Sequence, residues 1–108
     1  MNYIKIKESQ TIGTATKDID FLIPVGQIVR VSGTTTSVSI VTEPNDTSTG
    51  LLPVYEIGGF GTLSSASEGF QAVYKLIDEL SKTPNKVSDY LKINGDSDLT
   101  VSFSFNVA

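Results

Sequence analysis

The chain has 108 residues and a mass of 11.6 kDa, which is the size of a single domain over residues 1–108. It contains no Cys, His or Trp. This composition excludes disulfides, thiolate metal sites, imidazole bases and the Ser-His-Asp triad. Twelve acidic and eight scattered basic residues give a net charge of −4. A chain without clustered cations is not expected to bind a nucleic-acid backbone or an anionic membrane surface.

The first half of the chain predicts strands. Residues 2–8 alternate Ile4 and Ile6 with lysines, a period of two that is typical of a half-buried strand. Residues 9–20 are polar and weakly periodic, and we interpret them as an extended arm or loop. A strand over 27–32, a turn over 33–36 and a strand over 37–43 together predict a hairpin.

The middle of the chain is rich in turn-forming residues. Residues 44–50 predict a loop, which includes the short glycosylation pattern Asn45-Asp46-Thr47. Residues 51–57 predict a short strand, which Pro53 should confine to a sheet edge or to the first position. Residues 58–61, with the sequence GGFG, predict a flexible link.

Residues 65–82 predict the principal helix. Ser65 and Glu68 have the spacing of a capping box, in which each side chain satisfies a free amide of the first turn. An apolar stripe at helical spacing follows, and Pro84 ends the pattern. The predicted core face of this helix consists of Phe70, Val73, Tyr74, Ile77 and Leu80.

The last strand has the clearest pattern. Asn94-Gly95 predicts a tight hairpin turn, and residues 98–107 then alternate apolar with hydroxyl or amide side chains. We expect the odd-numbered residues of this strand to face the helix, with Phe103 and Phe105 packed on Tyr74 and Ile77. The elements together predict an α+β fold, with one helix packed on one face of a mostly antiparallel sheet.

Three patterns bear on chemistry, and each has a simpler structural interpretation. Residues 59–64 resemble part of a dinucleotide-binding fingerprint, but the third Gly and a following Lys are missing. Asp96 and Asp98 begin like a calcium loop, but the twelfth position is Phe105, and a solvated turn is favoured. Asp18 and Asp20 could act as paired carboxylates, although surface residues beside Lys17 are the commoner case.

We therefore predict no catalytic residue, no cofactor and no metal ligand. An enzyme would instead need a deep pocket in which two or more of Asp18, Asp20, Tyr55 and Tyr90 meet, with shifted carboxylate pKa values.

Several apolar residues lie in segments that we expect to be exposed, where an interface would bury them. Phe60 lies between glycines, and two interpretations of it are equally favoured. It either anchors the chain to a neighbouring subunit or closes one end of the core. The candidate interface residues are Phe21, Leu22, Ile23, Leu51, Leu52 and Phe60.

The order of these elements resembles that of small structural proteins of tailed bacteriophages. The residues that carry the resemblance are YIKI, the FLIPVGQIVRVSGTTTSVSIVT hairpin, the helix ASEGFQAVYKLIDEL and the final strand. The resemblance implies a virion subunit, most simply a capsid decoration or stabilising protein, without catalytic activity. Its partners would be the major capsid protein or copies of itself, as a homo-oligomer. The alternatives are a phage tail or neck component and a small soluble ligand- or protein-binding adaptor.

The expected location is the virion, after synthesis in the host cytoplasm. The segment MNYIKIKESQ lacks the apolar core of a signal peptide, and the longest apolar stretch, residues 21–25, is far shorter than a membrane span.

Overall fold

The alternating pattern at the start of the chain forms the strand on which the sheet is assembled. In the computed structural model, which describes residues 2–43 and 50–107, β1 (Tyr3–Ile12) pairs antiparallel with β2 (Ala15–Pro24). Ile4 lies opposite Ile23, and both side chains are fully buried, as is Ile6. The predicted half-buried strand is confirmed.

Residues 9–20, which we predicted to be an extended arm or loop, form paired strands. They lie in β1, in β2 and in the turn between them, where Gly13 has a φ of 65°. Among the described residues, 9–12 pair only with β2, so the end of this hairpin is a two-stranded ribbon. The sequence pattern did not indicate these strands, because both faces of a two-stranded ribbon can contact water. Such a ribbon does not need alternating apolar and polar residues.

The hairpin predicted over residues 27–43 is also present. A 3₁₀ turn at Val25–Gln27 leads into β3 (Ile28–Gly33), which pairs antiparallel with β4 (Val38–Thr42). The turn between them is fixed by the Thr34 hydroxyl, which accepts hydrogen bonds from the backbone N–H groups of Thr36 and Ser37, each at 3.2 Å. The predicted loop over 44–50, with its glycosylation pattern, lies outside the described residues except for Gly50.

The sheet is mixed and not purely antiparallel. Its strand order is β2-β1-β7-β5-β4-β3, where β5 is Leu51–Gly58 and β7 is Asp98–Val107; β6 (Val87–Tyr90) pairs with β1 outside this path. β6 and β7 both run parallel to β1, whereas β5 and β7 are antiparallel. A helix connects β5 to β6. The predicted α+β class, with one helix and mostly strand, is confirmed.

β5 lies inside the sheet and not at its edge, contrary to our expectation for Pro53. It has β4 on one side and β7 on the other. The register with β4 ends at Val54, so the missing N–H of Pro53 falls just outside that ladder.

The helix α1 extends over Ala66–Leu80, slightly less than the predicted 65–82. The Ser65 hydroxyl caps it by accepting from the Ser67 N–H, whereas the Glu68 carboxylate accepts from the Ser64 hydroxyl and does not complete the predicted capping box. The predicted core face of the helix is confirmed at Val73 and Leu80, which are buried. The prediction is wrong at Tyr74, which is 47% exposed.

The core lies between α1 and the sheet. It includes Phe60 and also Leu63, which follows the link over residues 58–61, so the predicted flexible link is anchored to the core. Gly59 and Gly61 both have a φ of 80°, which allows the backbone to turn Phe60 inward. The buried cluster consists of Ile4, Ile6, Ile23, Val31, Val38, Ile40, Ile57, Phe60, Leu63, Val73, Leu80, Leu91, Ile93 and Leu99.

The position of β7 is confirmed, but its relation to the helix is not as predicted. Leu99 is 2% exposed, whereas Phe103 and Phe105 are 50% and 59% exposed. Both rings were expected to pack on Tyr74 and Ile77. Instead, α1 packs chiefly on β3, β4 and β6, and the second half of β7 runs past it. In the part of the chain that the structure describes, no helix is long and apolar enough to cross a membrane.

Gly69 sets how closely α1 approaches the sheet. A Cβ atom there would lie 2.7 Å from Val38 Cγ2 and 3.1 Å from Leu63 Cδ1. We expect Gly69→Ala to destabilise the protein, because overpacking costs about 1–3 kcal/mol and outweighs the ~1 kcal/mol that Ala contributes in a helix. Chemical denaturation measures the change. Gly26→Ala is the matched control, since a Cβ at Gly26 has no atom within 4 Å, and an equal loss in both variants would contradict this account.

The difference in burial between Leu99 and Phe103 on β7 predicts different effects of truncating the two side chains. Leu99→Ala should lower the free energy of unfolding by about 2–5 kcal/mol, because it removes a fully buried side chain. Phe103→Ala should cost only about 1 kcal/mol, since half of the ring is already in water. Urea titration of both variants checks the order, and a larger loss for Phe103→Ala would place that ring in the core.

Candidate protein-interaction surface

Two exposed aromatic side chains and one half-buried one form a patch on the sheet face that otherwise carries the core. Phe103 and Phe105 follow buried Leu99 at even spacing, so they point to the same face. Phe103 lies opposite Tyr55 in the register with β5. The ring centroid of Phe103 lies 5.0 Å from that of Tyr55 and 5.0 Å from that of Phe105, and both pairs are edge-on. We call Tyr55, Phe103 and Phe105 the aromatic surface.

The candidate interface residues predicted from sequence fall into two groups. Ile23 and Phe60 are 0% and 3% exposed, so they belong to the core and cannot contact a partner. Ile23 is buried by its pairing with Ile4, and the Phe60 carbonyl accepts a hydrogen bond of 2.8 Å from the Asn94 side chain, which holds the link in place. The others remain partly or largely accessible: Phe21, Leu22, Leu51 and Leu52.

The sequence prediction missed the aromatic surface because it assigned Phe103 and Phe105 to the core. The strand pattern correctly indicated one apolar face. It carried no information on how far the helix extends over that face. The one available signal was that β7, with ten residues, is longer than a single helix can cover along its axis.

Of the acid–base candidates whose side chains the structure describes, Asp20 and Tyr90 meet, and they do so at the surface. The Tyr90 hydroxyl donates to Asp20 Oδ1 at 2.8 Å, and Lys5 Nζ lies 4.2 Å from the centroid of the Tyr90 ring. Asp20 is exposed, and Tyr55 belongs to the aromatic surface. The Asp18 side chain lies outside the described part of the structure. The two residues that meet therefore form a surface network, together with the Lys7–Asp98 ion pair at 3.0 Å.

The turn over residues 94–98 has the predicted hairpin geometry. Asn94 and Gly95 both have positive φ values, 57° and 74°, and Ile93 and Asp96 exchange two backbone hydrogen bonds of 3.0 Å. Asp96 Oδ1 accepts from the Asp98 N–H at 2.9 Å. Among the described residues, no group of three or more acidic side chains is placed to hold a metal ion.

Two open grooves lie on the surface of the described residues. One, of about 290 Å³, lies between α1 and β6 and is bordered by solvated side chains that include Lys75, Glu79 and Lys92. The other, of about 270 Å³, lies on the sheet face opposite the aromatic surface. Hydroxyl side chains and Glu56 line the second groove: Thr36, Ser37, Glu56, Thr100 and Ser102.

No protein-family model, curated protein sequence or solved structure matches the chain. The candidate surface is therefore argued from its geometry. On β7, its two rings lie in a stretch, residues 100–107, that contains no charged residue.

The aromatic surface should be detectable in solution. Phe105→Ser should lower the binding of an environment-sensitive apolar dye, because it removes the most exposed ring of the patch. The free energy of unfolding should change by less than about 1 kcal/mol, since the side chain is 59% exposed. Tyr74→Ser is the control, because Tyr74 is an exposed aromatic residue on the helix. Equal dye loss in both variants would show that dye binding does not report on the patch.

Proposed function

We propose that this chain is a non-catalytic structural subunit of a virion, most simply a capsid decoration or stabilising protein. The observation that carries the proposal is the aromatic surface, where Phe103 and Phe105 are at least half exposed. A monomeric domain gains nothing from large rings in water. A protein partner would bury them and gain roughly 25 cal/mol for each Å² removed from water.

The strands around this surface also suit a role in assembly. The β1–β2 ribbon extends beyond the strands that pair with the other edge of β1. Ribbons and sheet edges bind neighbouring chains through backbone hydrogen bonds, with little demand on sequence. This mode of binding fits a subunit whose side chains are mostly hydroxylic and aliphatic.

The charge distribution is consistent with binding to protein and not to nucleic acid. The chain carries a net charge of −4, and Lys5 and Lys7 are engaged by the ring of Tyr90 and the carboxylate of Asp98. Affinity for a phosphate backbone depends on cations that neutralise several phosphates at once. The virion setting itself rests on the resemblance carried by YIKI, the 21–42 hairpin, the helix and the last strand.

The composition of purified particles tests this function. Mass spectrometry of virions whose genome encodes this chain should detect the chain. Its copy number should be a multiple of three or six per capsomer, as expected for a component of the capsid lattice. Phe105→Asp should reduce its incorporation, because it places a carboxylate in an apolar contact. Val29→Asp is the matched control, since Val29 is 57% exposed on β3.

A strictly monomeric protein that is absent from purified particles would contradict the proposed function. Particle incorporation that is unaffected by Phe105→Asp would place the contact elsewhere on the molecule. A monomer that captures one defined host protein through the same surface would favour the adaptor alternative.

A further inference from the structure

The turn over residues 94–98 begins with a chemically labile pair of residues. Of the five asparagines in the chain, only Asn94 precedes a glycine. Glycine has no Cβ atom to shield its backbone nitrogen, which can therefore approach the preceding side-chain amide closely. Attack by this nitrogen is intramolecular, so it has a large advantage in proximity over hydrolysis by a water molecule from solution.

The tip of this turn leaves the reacting groups open to solvent. Asn94 and Gly95 are both exposed. The two backbone hydrogen bonds of the turn join Ile93 and Asp96, so they do not engage the Gly95 N–H. A Cβ atom at Gly95 would have no described atom within 4 Å, which shows free space around its backbone. The attacking nitrogen and a water molecule therefore both have access to the Asn94 side chain.

Asn94 also holds a second segment of the chain in place. Its Nδ2 donates a part-buried hydrogen bond of 2.8 Å to the Phe60 carbonyl. Phe60 is 3% exposed, and it lies between Gly59 and Gly61, which both have a φ of 80°. The side-chain amide of Asn94 is thus the labile group and also the group that fastens the link over residues 58–61.

We propose that Asn94 is a site of spontaneous deamidation, and that the reaction releases the link over residues 58–61 from the turn. The Gly95 nitrogen loses its proton and bonds to Asn94 Cγ. The Cγ–Nδ2 bond breaks, and the amide leaves as ammonia with that proton. Water then opens the succinimide ring at either carbonyl, which yields aspartate or isoaspartate. Water is the only co-reactant, and no atom is oxidised or reduced.

Both products lack the donor that binds the Phe60 carbonyl. A carboxylate only accepts hydrogen bonds, so the reaction replaces a donor with an acceptor beside another acceptor. A partly buried carbonyl that loses its donor is destabilised until it reaches water. Isoaspartate also lengthens the main chain within a turn that depends on φ values of 57° and 74°. The link is therefore expected to separate from the turn.

The same hydrogen bond controls how fast the folded protein reacts. Nδ2 has to leave the Phe60 carbonyl before it can depart as ammonia. The reaction therefore proceeds through local opening of the contact between the turn and the link. We expect the folded chain to react more slowly than the same chain in urea. This inference does not depend on the proposed function, because the chemistry belongs to the chain alone.

Peptide mapping by mass spectrometry, after incubation of the full chain in warm and mildly alkaline buffer, tests the site. The peptide that contains Asn94 should gain the mass difference between an amide and a carboxylic acid, and should accept a methyl group from an isoaspartyl methyltransferase. Asn85 is the internal control, since it is also exposed and has a φ of 53°, but Lys86 follows it.

The rate at Asn94 should exceed the rate at Asn85 by roughly tenfold or more. It should also rise with pH, because the attacking nitrogen has to lose its proton. Equal rates at the two asparagines, or an unmodified Asn94 after incubation in urea, would overturn the proposed site. A folded chain that reacts as fast as the unfolded one would overturn the control by Phe60.

Hydrogen exchange of Asn94→Asp, which reproduces one product, tests the release of the link. The amides of residues 58–61 should exchange roughly tenfold faster or more, whereas those of β1 keep their rates and show that the fold is intact. Asn94→Gly should have the same effect without added charge, since glycine also adopts a positive φ. Asn85→Asp is the matched control, because it changes the charge equally between α1 and β6. Unchanged exchange at residues 58–61 in both Asn94 variants would overturn the release.

Discussion

One fifteen-residue helix has to cover one face of a much larger sheet. A helix of this length extends about 22 Å and is about 10 Å wide, whereas six strands at about 4.8 Å spacing, some of ten residues, form a far larger surface. α1 packs chiefly on β3, β4 and β6. The apolar face of the sheet continues beyond it, and Phe103 and Phe105 lie on the uncovered part. The aromatic surface is thus a direct consequence of this difference in size.

The close approach of α1 to the sheet prevents the helix from shifting to cover the exposed part of the sheet face. Gly69 lies against Val38 and Leu63, so the helix packs deeply at this point and is held there by the shape of the core. Moving it toward β7 would uncover Val73 and Leu80, which are almost fully buried. The core between α1 and the sheet is closed, whereas the part of the sheet face that carries Phe103 and Phe105 stays exposed.

β1 connects the two parts of the sheet. It pairs with β2 along its whole length, with β6 near its start and with β7 at its centre. Its inward residues, Ile4 and Ile6, are completely buried, whereas Lys5 and Lys7 on the other face contact Tyr90 and Asp98. The charged network therefore has a structural explanation, since it joins β1 to β2, β6 and β7 across the solvent-facing side of the sheet.

Local sequence patterns were enough to locate the individual strands, turn and helix. Period-two alternation located β1 and β7, Asn94-Gly95 located the tight turn, and the apolar stripe after Ser65 located the helix. These signals are local, because they depend on backbone preferences and on which side chains share a face. Which residues cover each face of the sheet and of the helix depends on the tertiary structure. It placed Phe60 in the core, left Tyr74 and Phe103 in water, paired residues 9–12 with β2 and ran β6 and β7 parallel to β1. Those outcomes depend on contacts between distant segments and on the limited area of one helix, which alternation along a strand does not encode.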